Sequence, residues 1–247
     1  MYPELFRIPW IDFPISSFGL MMALGFLAAA WITAIRMEEE GLDGEITYSI
    51  MIYIVLGGVL GSKLYFAVDT WVRGEGAFLD LLLSRGGITW YGGLAAGFFA
   101  GAWGCRRHGV PVKTFADCAA ASAAVGQSLG RLGCFLVGDD YGVETDLPWG
   151  IAFPEGTPPV DHPVHPTQLY EIAWLLPVAG LLWWRRRRSP FLFGEYLAAN
   201  GLGRLVIEQW RRNPDLALGW TQPQWIGLGL VAAGVGTWLY FRTAPES

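Results

Sequence analysis

Apolar runs of membrane length recur along the chain, broken by short polar stretches. Seven can be marked, at Ser16–Ile35, Ile46–Val68, Ile88–Gly104, Phe115–Val137, Gln168–Trp184, Phe191–Ile207 and Trp225–Phe241. Runs of about 17–25 residues match a bilayer's thickness. Helix is the expected state of each, because lipid offers no water to open backbone groups. The pattern therefore predicts an all-α polytopic membrane protein with seven transmembrane helices, a single integral domain over residues 1–247. Ahead of the first run, residues 1–14 mix Tyr2, Phe6, Trp10 and Phe13 with prolines and charges, which predicts a short interfacial anchor.

Loop charges orient the runs. With the N-terminus outside, the inner side takes Arg36, Arg106, Arg107, Lys113, Arg185–Arg188 and Arg242. The outer side then takes only Arg7, Arg73, Arg85, Arg211 and Arg212. The bias predicts an outer N-terminus and a cytoplasmic C-terminus. Gly138–Pro166 carries no Lys or Arg, as an outer loop should.

Composition agrees: 247 residues, 53% hydrophobic and 16% charged, with mean hydropathy +0.34, exclude a soluble domain. The net charge of −5 sits in loops and helix ends, and no basic patch interleaved with exposed aromatics invites nucleic acid. Cys105, Cys118 and Cys134 fall in or beside apolar runs, against a disulfide framework. The first run spans, without the basic start and small-residue site of a cleavable signal peptide. Glycines in GGVLG (Gly57–Gly61), GGLAAG (Gly92–Gly97) and GLGLVAAGVG (Gly227–Gly236) predict close helix packing, and Ala119–Ala124 a central fourth span.

Three polar clusters interrupt this pattern. The first is GRLGCFLVGDDYG at Gly130–Gly142, where Arg131 closes an apolar run. An arginine at membrane depth is costly unless it meets an anion or a carboxylate. Pairing with Asp117 is remote, since Asp117 lies fourteen residues earlier, about 21 Å along a helix. A phosphate suits the guanidinium fork better. Asp139 and Asp140 follow, either as a turn signal or with one carboxylate facing a site, among Gly133, Gly138 and Gly142. The second cluster, HPTQLYE, holds His165, Thr167, Gln168, Tyr170 and Glu171. His165 is either a hydrogen-bonding structural residue or a group that handles protons. The third is Arg204, Glu208 and Arg211, whose i, i+4, i+7 spacing places them on one face of a helix. A plain salt-bridge ladder is the competing explanation there. Lys63 is left within a span. No residue set reproduces a metal-ligand spacing and no cofactor is called for. Together the clusters predict an enclosure for an anionic lipid headgroup in the outer half of the membrane.

These strings resemble a known family. GRLGCFLVGDDYG is similar to the glycine–arginine signature of bacterial phosphatidylglycerol–prolipoprotein diacylglyceryl transferases, and HPTQLYE to their histidine motif. FGLMMALGF (Phe18–Phe26) resembles their first span, GGITWYGGLAAG (Gly86–Gly97) their third-helix glycine motif, and RLVIEQWRRNPD (Arg204–Asp215) their late Arg-Glu-Arg motif. The resemblance implies transfer of the diacylglyceryl group of phosphatidylglycerol to the lipobox cysteine thiol of a prolipoprotein, with release of glycerol phosphate. Its partners would be phosphatidylglycerol, the prolipoprotein signal-peptide segment and membrane lipids. Its place would be the bacterial cytoplasmic (inner) membrane, multi-pass, with the active site toward the outer face.

By position, Tyr91, Arg131, Asp139, His165, Arg204 and Glu208 are the implied catalytic residues. Gly133, Gly138, Gly142, Gln168, Tyr170, Glu171 and Arg211 join the arginines in substrate binding, with Asp117, Lys63 and Asp140 as structural candidates. The chain departs from the family at several polar positions. Tyr91 stands for the usual histidine, Phe18 for a tyrosine, Cys134 and Val137 for two asparagines, Asp139 for a glutamate and Asn200 for a tyrosine. Two alternatives follow: a paralogue that gives phosphatidylglycerol's group to another acceptor, or a non-catalytic lipid-binding or lipid-moving protein.

Overall fold

The structure, a computed structural model, describes residues 1–10, 12–84, 87 and 89–243, without the side chains of Ile8, Phe13, Trp90 and Tyr91. In chain order the elements are β1 (Glu4–Ile8), β2 (Phe13–Ser16), α1 (Ser17–Glu39), α2 (Ile46–Val72), α3 (Phe78–Leu83), α4 (Trp90–Arg107) and α5 (Val112–Val137). Then come β3 (Ile151–Phe153), β4 (Val160–Val164), α6 (Thr167–Arg185), α7 (Leu192–Ile207), a 3₁₀ turn (Glu208–Trp210), β5 (Asp215–Ala217), β6 (Trp220–Thr221) and α8 (Gln222–Thr243). Each of the seven apolar runs coincides with a long helix. Among the described residues, three of them, α1, α2 and α8, are long and apolar enough to cross a membrane. The long helices point large apolar side chains outward, among them Trp31, Leu60, Phe99 and Tyr240. Water would penalise such faces and lipid would not.

The all-α expectation holds for most of the chain but misses three antiparallel hairpins, β1–β2, β3–β4 and β5–β6. The N-terminal stretch is one of them, with Phe6 opposite Ile15 and Trp10 fully exposed at the turn. In hairpin β3–β4, Val160 and Val164 at the two ends of β4 turn inward while Asp161, His162 and Pro163 between them face out. Phe153 stacks on Tyr141 at 5.3 Å, and these residues form a small core beside the end of α5. Hairpin β5–β6 turns on Leu218 and Gly219, both at positive φ (55° and 72°), the geometry of a two-residue type I′ loop.

The chain divides into two compact units, Thr33–Phe115 and the combination of Met1–Ile32 with Ala116–Ser247. In the first, α2 and α4 meet along their glycines: a Cβ on Gly61 would lie 2.5 Å from the Gly92 carbonyl oxygen. Lys63 belongs here too, and its ammonium donates to the Ser84 carbonyl (2.6 Å) and hydroxyl (2.8 Å). In the second, α7 and α8 approach in the same way, a Cβ on Gly201 falling 2.4 Å from the Gly227 oxygen. The Ala-rich stretch of α5 is buried against α6 and α7, as a central helix requires. Asp117 on α5 accepts a hydrogen bond from the Phe193 backbone N–H at 3.0 Å. It thus satisfies one of the orphan donors that open α7.

Candidate active site

All three polar clusters of the sequence lie in this second unit, whereas Tyr91, like Lys63, belongs to the first. Tyr91 opens α4, and its side chain is outside the described residues. The site begins where α5 stops. Gly138 adopts φ 73°, its N–H bonds the Phe135 carbonyl (3.2 Å), and the Asp139 N–H bonds that of Cys134 (3.1 Å). This Schellman ending turns the chain sharply back and brings Asp139 and Asp140 beside Arg131. Two side chains from the first turn of α6 then pin the returning loop. The Thr167 hydroxyl donates to the Asp140 carbonyl at 2.8 Å, and the Gln168 amide donates to that of Asp139. The motif HPTQ thus works as a clamp on the motif GDD.

Glu171, one turn into α6 and buried, is the hub of the charged groups. It accepts from Arg131 Nε at 2.6 Å, Arg211 Nη1 at 2.8 Å and Arg204 Nη1 at 3.3 Å. Asp140 closes the ring on the solvent side. Its Oδ2 lies 2.7 Å from Arg131 Nη1 and its Oδ1 2.9 Å from Arg211 Nη2. Glu208 sits farther from the guanidiniums, at 3.6 Å from Arg204 Nε and 3.8 Å from Arg211 Nε. Asn213 (2.7 Å) and the Thr221 hydroxyl (2.8 Å) hold it by donating to Oε1.

Several expectations need correction. Arg204, Glu208 and Arg211 do not share one helix face: α7 ends at Ile207, Glu208 opens a 3₁₀ turn, and Arg211 is extended (φ −93°, ψ 165°). They still converge, because Gly142 pairs with Arg211 and the Val143 N–H bonds the Trp210 carbonyl at 2.8 Å. That close pairing explains Gly142, where a Cβ would fall 2.2 Å from the Trp210 oxygen. Gly133 is likewise a packing residue, against Phe18 and Met21 of α1, and Gly138 makes the helix ending. Of the adjacent aspartates, Asp140 rather than Asp139 meets the arginines. The Asp139 side chain faces inward, and its Oδ1 is buried without a hydrogen-bond partner, as is Gln168 Oε1.

Titration follows from these surroundings. Burial raises the Asp139 carboxyl above the ordinary carboxylate range, against the lowering effect of a hydrogen bond with Cys134. Burial also opposes the Asp140 charge, but the Arg211 and Arg131 guanidiniums prevail and hold that carboxyl below the ordinary range. His165 is apart from the arginine ring. Its Nδ1 lies 2.9 Å from the Tyr170 hydroxyl, which accepts from Trp149 Nε1 at 2.8 Å. The phenol therefore has its own proton to give, which leaves Nδ1 as acceptor. Burial lowers the His165 pKa, favouring the neutral ring.

A part-buried polar group that the motifs do not contain lies next to Arg204. Gln127 Oε1 accepts from the Tyr196 hydroxyl at 3.0 Å and from Asn200 Nδ2 at 2.7 Å. Gln127, Asn200, Glu171 and Arg204 line a narrow crevice with Trp174 and Leu175. A spacing signal was available: Gln127 precedes Arg131 by four residues, and Tyr196, Asn200, Arg204 and Glu208 follow each other at intervals of four.

Fold and site together define a class: a helix-rich membrane protein with arginines preorganised on carboxylates at the ends of its apolar helices. Residues 3–240 match the family of prolipoprotein diacylglyceryl transferases, and the chain belongs to that family, a family of transferases. It is 35% identical over 228 residues to the phosphatidylglycerol–prolipoprotein diacylglyceryl transferase of Geobacter sulfurreducens, covering 88% of this chain and 84% of that protein. The protein of the same name from Gloeobacter violaceus is 29% identical over 246 residues, 95% of this chain and 91% of its own. That of Mycolicibacterium paratuberculosis is 34% identical over 221 residues, 79% of this chain but 52% of its own length.

Proposed function

We propose that the protein transfers the diacylglyceryl group of phosphatidylglycerol to the thiol of a prolipoprotein lipobox cysteine, releasing glycerol phosphate. The carrying observation is the convergence of Arg131, Arg204 and Arg211 on Glu171. A leaving phosphate gathers charge, and preorganised donors in a dry site stabilise it strongly. Arg131 and Arg211 hold the phosphate, and Arg204 faces the crevice that leads to the acyl chains. The thiol sulfur attacks the glycerol carbon, the carbon–oxygen bond to phosphate breaks, and the electron pair leaves on glycerol phosphate. The thiol proton passes to the Tyr170 oxygen as Tyr170 passes its own to His165 Nδ1. The chain crosses the bacterial inner membrane seven times with its N-terminus outside, and the site opens toward the outer face.

Tyr91, Cys134 and Val137 stand where the family resemblance implies other residues, and they support a second acceptor as the competing reading. Purified protein, phosphatidylglycerol vesicles and a lipobox peptide, read by mass spectrometry, test the proposal. A diacylglyceryl adduct on the peptide cysteine, absent with Arg131→Ala, is the expected result. Glycerol phosphate released with the peptide unmodified points to the second acceptor. Neither product from folded protein rejects the activity.

A further inference from the structure

The ring of charges is already balanced before any phosphate arrives. Three guanidiniums (Arg131, Arg204, Arg211) face three carboxyl groups (Asp140, Glu171, Glu208). An added anion would meet no net positive charge there, so one carboxylate has to withdraw. Glu171 and Glu208 cannot do so easily: their side chains are 7% and 0% exposed, Glu171 holds all three guanidiniums, and Glu208 is also held by Asn213 and Thr221. A buried carboxylate stripped of its partners is strongly disfavoured. Asp140 differs. Its side chain is 47% exposed, and its links to the ring are the contacts with Arg131 and Arg211.

The shape of that contact matters as much as its charge. The two Asp140 oxygens are shared between two guanidiniums, 2.7 Å from Arg131 Nη1 and 2.9 Å from Arg211 Nη2. Two oxygens of a phosphodiester make the same pair of contacts. We propose that Asp140 is a stand-in for the substrate phosphate, which occupies the Arg131–Arg211 seat when it is empty and swings into solvent when the phosphate binds. The exchange costs little, because one singly charged group replaces another and the displaced carboxylate is half hydrated already. The backbone need not move, since the Asp140 carbonyl stays on the Thr167 hydroxyl and the residue sits in a left-handed turn, φ 61°. When transfer turns the diester into a doubly charged monoester, the carboxylate returns and competes with the product for the same donors. Asp140 thereby sets substrate affinity and speeds product exit. It is a specificity-determining residue that the reaction chemistry itself does not require.

The inference rests on the phosphatidylglycerol reading, and the test separates the two. Asp140→Asn, in detergent micelles, is compared with the unaltered protein and with Arg131→Gln. Glycerol phosphate binding is followed by calorimetry, and the phosphatidylglycerol KM by turnover. Removing one competing charge-assisted contact should tighten glycerol phosphate binding by about tenfold, lower the KM, and reduce kcat because the product leaves more slowly. The variant should also melt earlier without ligand and gain more from added glycerol phosphate. Equal or weaker binding by Asp140→Asn, with binding abolished in Arg131→Gln, overturns the stand-in role and leaves the arginine site intact. Tighter binding of the free monoester with an unchanged lipid KM also overturns it, since the seat then lies off the substrate path. If all three proteins ignore glycerol phosphate and phosphatidylglycerol alike, the functional reading falls together with this inference. Should Asp140→Asn fail to purify, glycerol phosphate in every buffer should rescue it, and also Asp140→Ser. Failure to rescue either overturns the proposal.

Discussion

Glu171 shows how much one buried carboxylate can decide. Three guanidiniums lean on it, so Glu171→Ala leaves them facing one another, and breaking such buried pairing costs about 3–5 kcal/mol. Chemical denaturation in detergent should show that loss, together with loss of transfer. Arg131→Lys keeps the charge but not the fork that reaches Glu171 with Nε and Asp140 with Nη1. Its kcat should fall by about 10²–10³, the usual effect of removing one preorganised donor. The arginines, Glu171 and His165 were legible because charged residues stand out against apolar runs. The exchange between Asp139 and Asp140 was not, since neighbouring residues look alike until the end of α5 fixes which of them turns toward Arg131.

At the scale of elements, short connections rather than long helices shape the site. Gly142 shows it: the pairing of Gly142 with Arg211 leaves 2.2 Å between a new Cβ and the Trp210 oxygen. Gly142→Ala should therefore cost about 1–3 kcal/mol as the strands part. Because Arg211 moves with them, the KM for phosphatidylglycerol should rise in the same variant, which steady-state kinetics can read. All seven long helices could be located from the apolar runs, within a few residues at each end. The three hairpins could not, because strands of two to five residues leave too brief an alternation to separate from loop. The helical spacing of Arg204, Glu208 and Arg211 misled for a related reason. Periodicity fixes neither where α7 ends nor what the chain does next.

Acidity acts on the whole molecule through opposing groups. The Asp140 carboxyl is held low, so its contribution to stability is complete above the unfolded value of about 3.9 and is lost as pH falls through its folded value. Asp139 is raised, and its contribution is complete below that unfolded value and disappears as pH climbs through its folded one. His165 is lowered, so acidification charges the unfolded chain first and weakens the fold below about 6.5. Transfer should keep its rate down to a pH below the ordinary histidine range and then decline, a limb that shifts or vanishes in His165→Gln. Rates and thermal melts over one pH series measure all three effects. The hold of Thr221 and Asn213 on Glu208 carries a further consequence, for how the protein is made. Arg131 is synthesised ninety residues before Thr221. A nascent chain already in the bilayer therefore carries its charged centre unfinished until the last hairpin has left the ribosome, and a premature stop before Thr221 yields a membrane-bound but inert product.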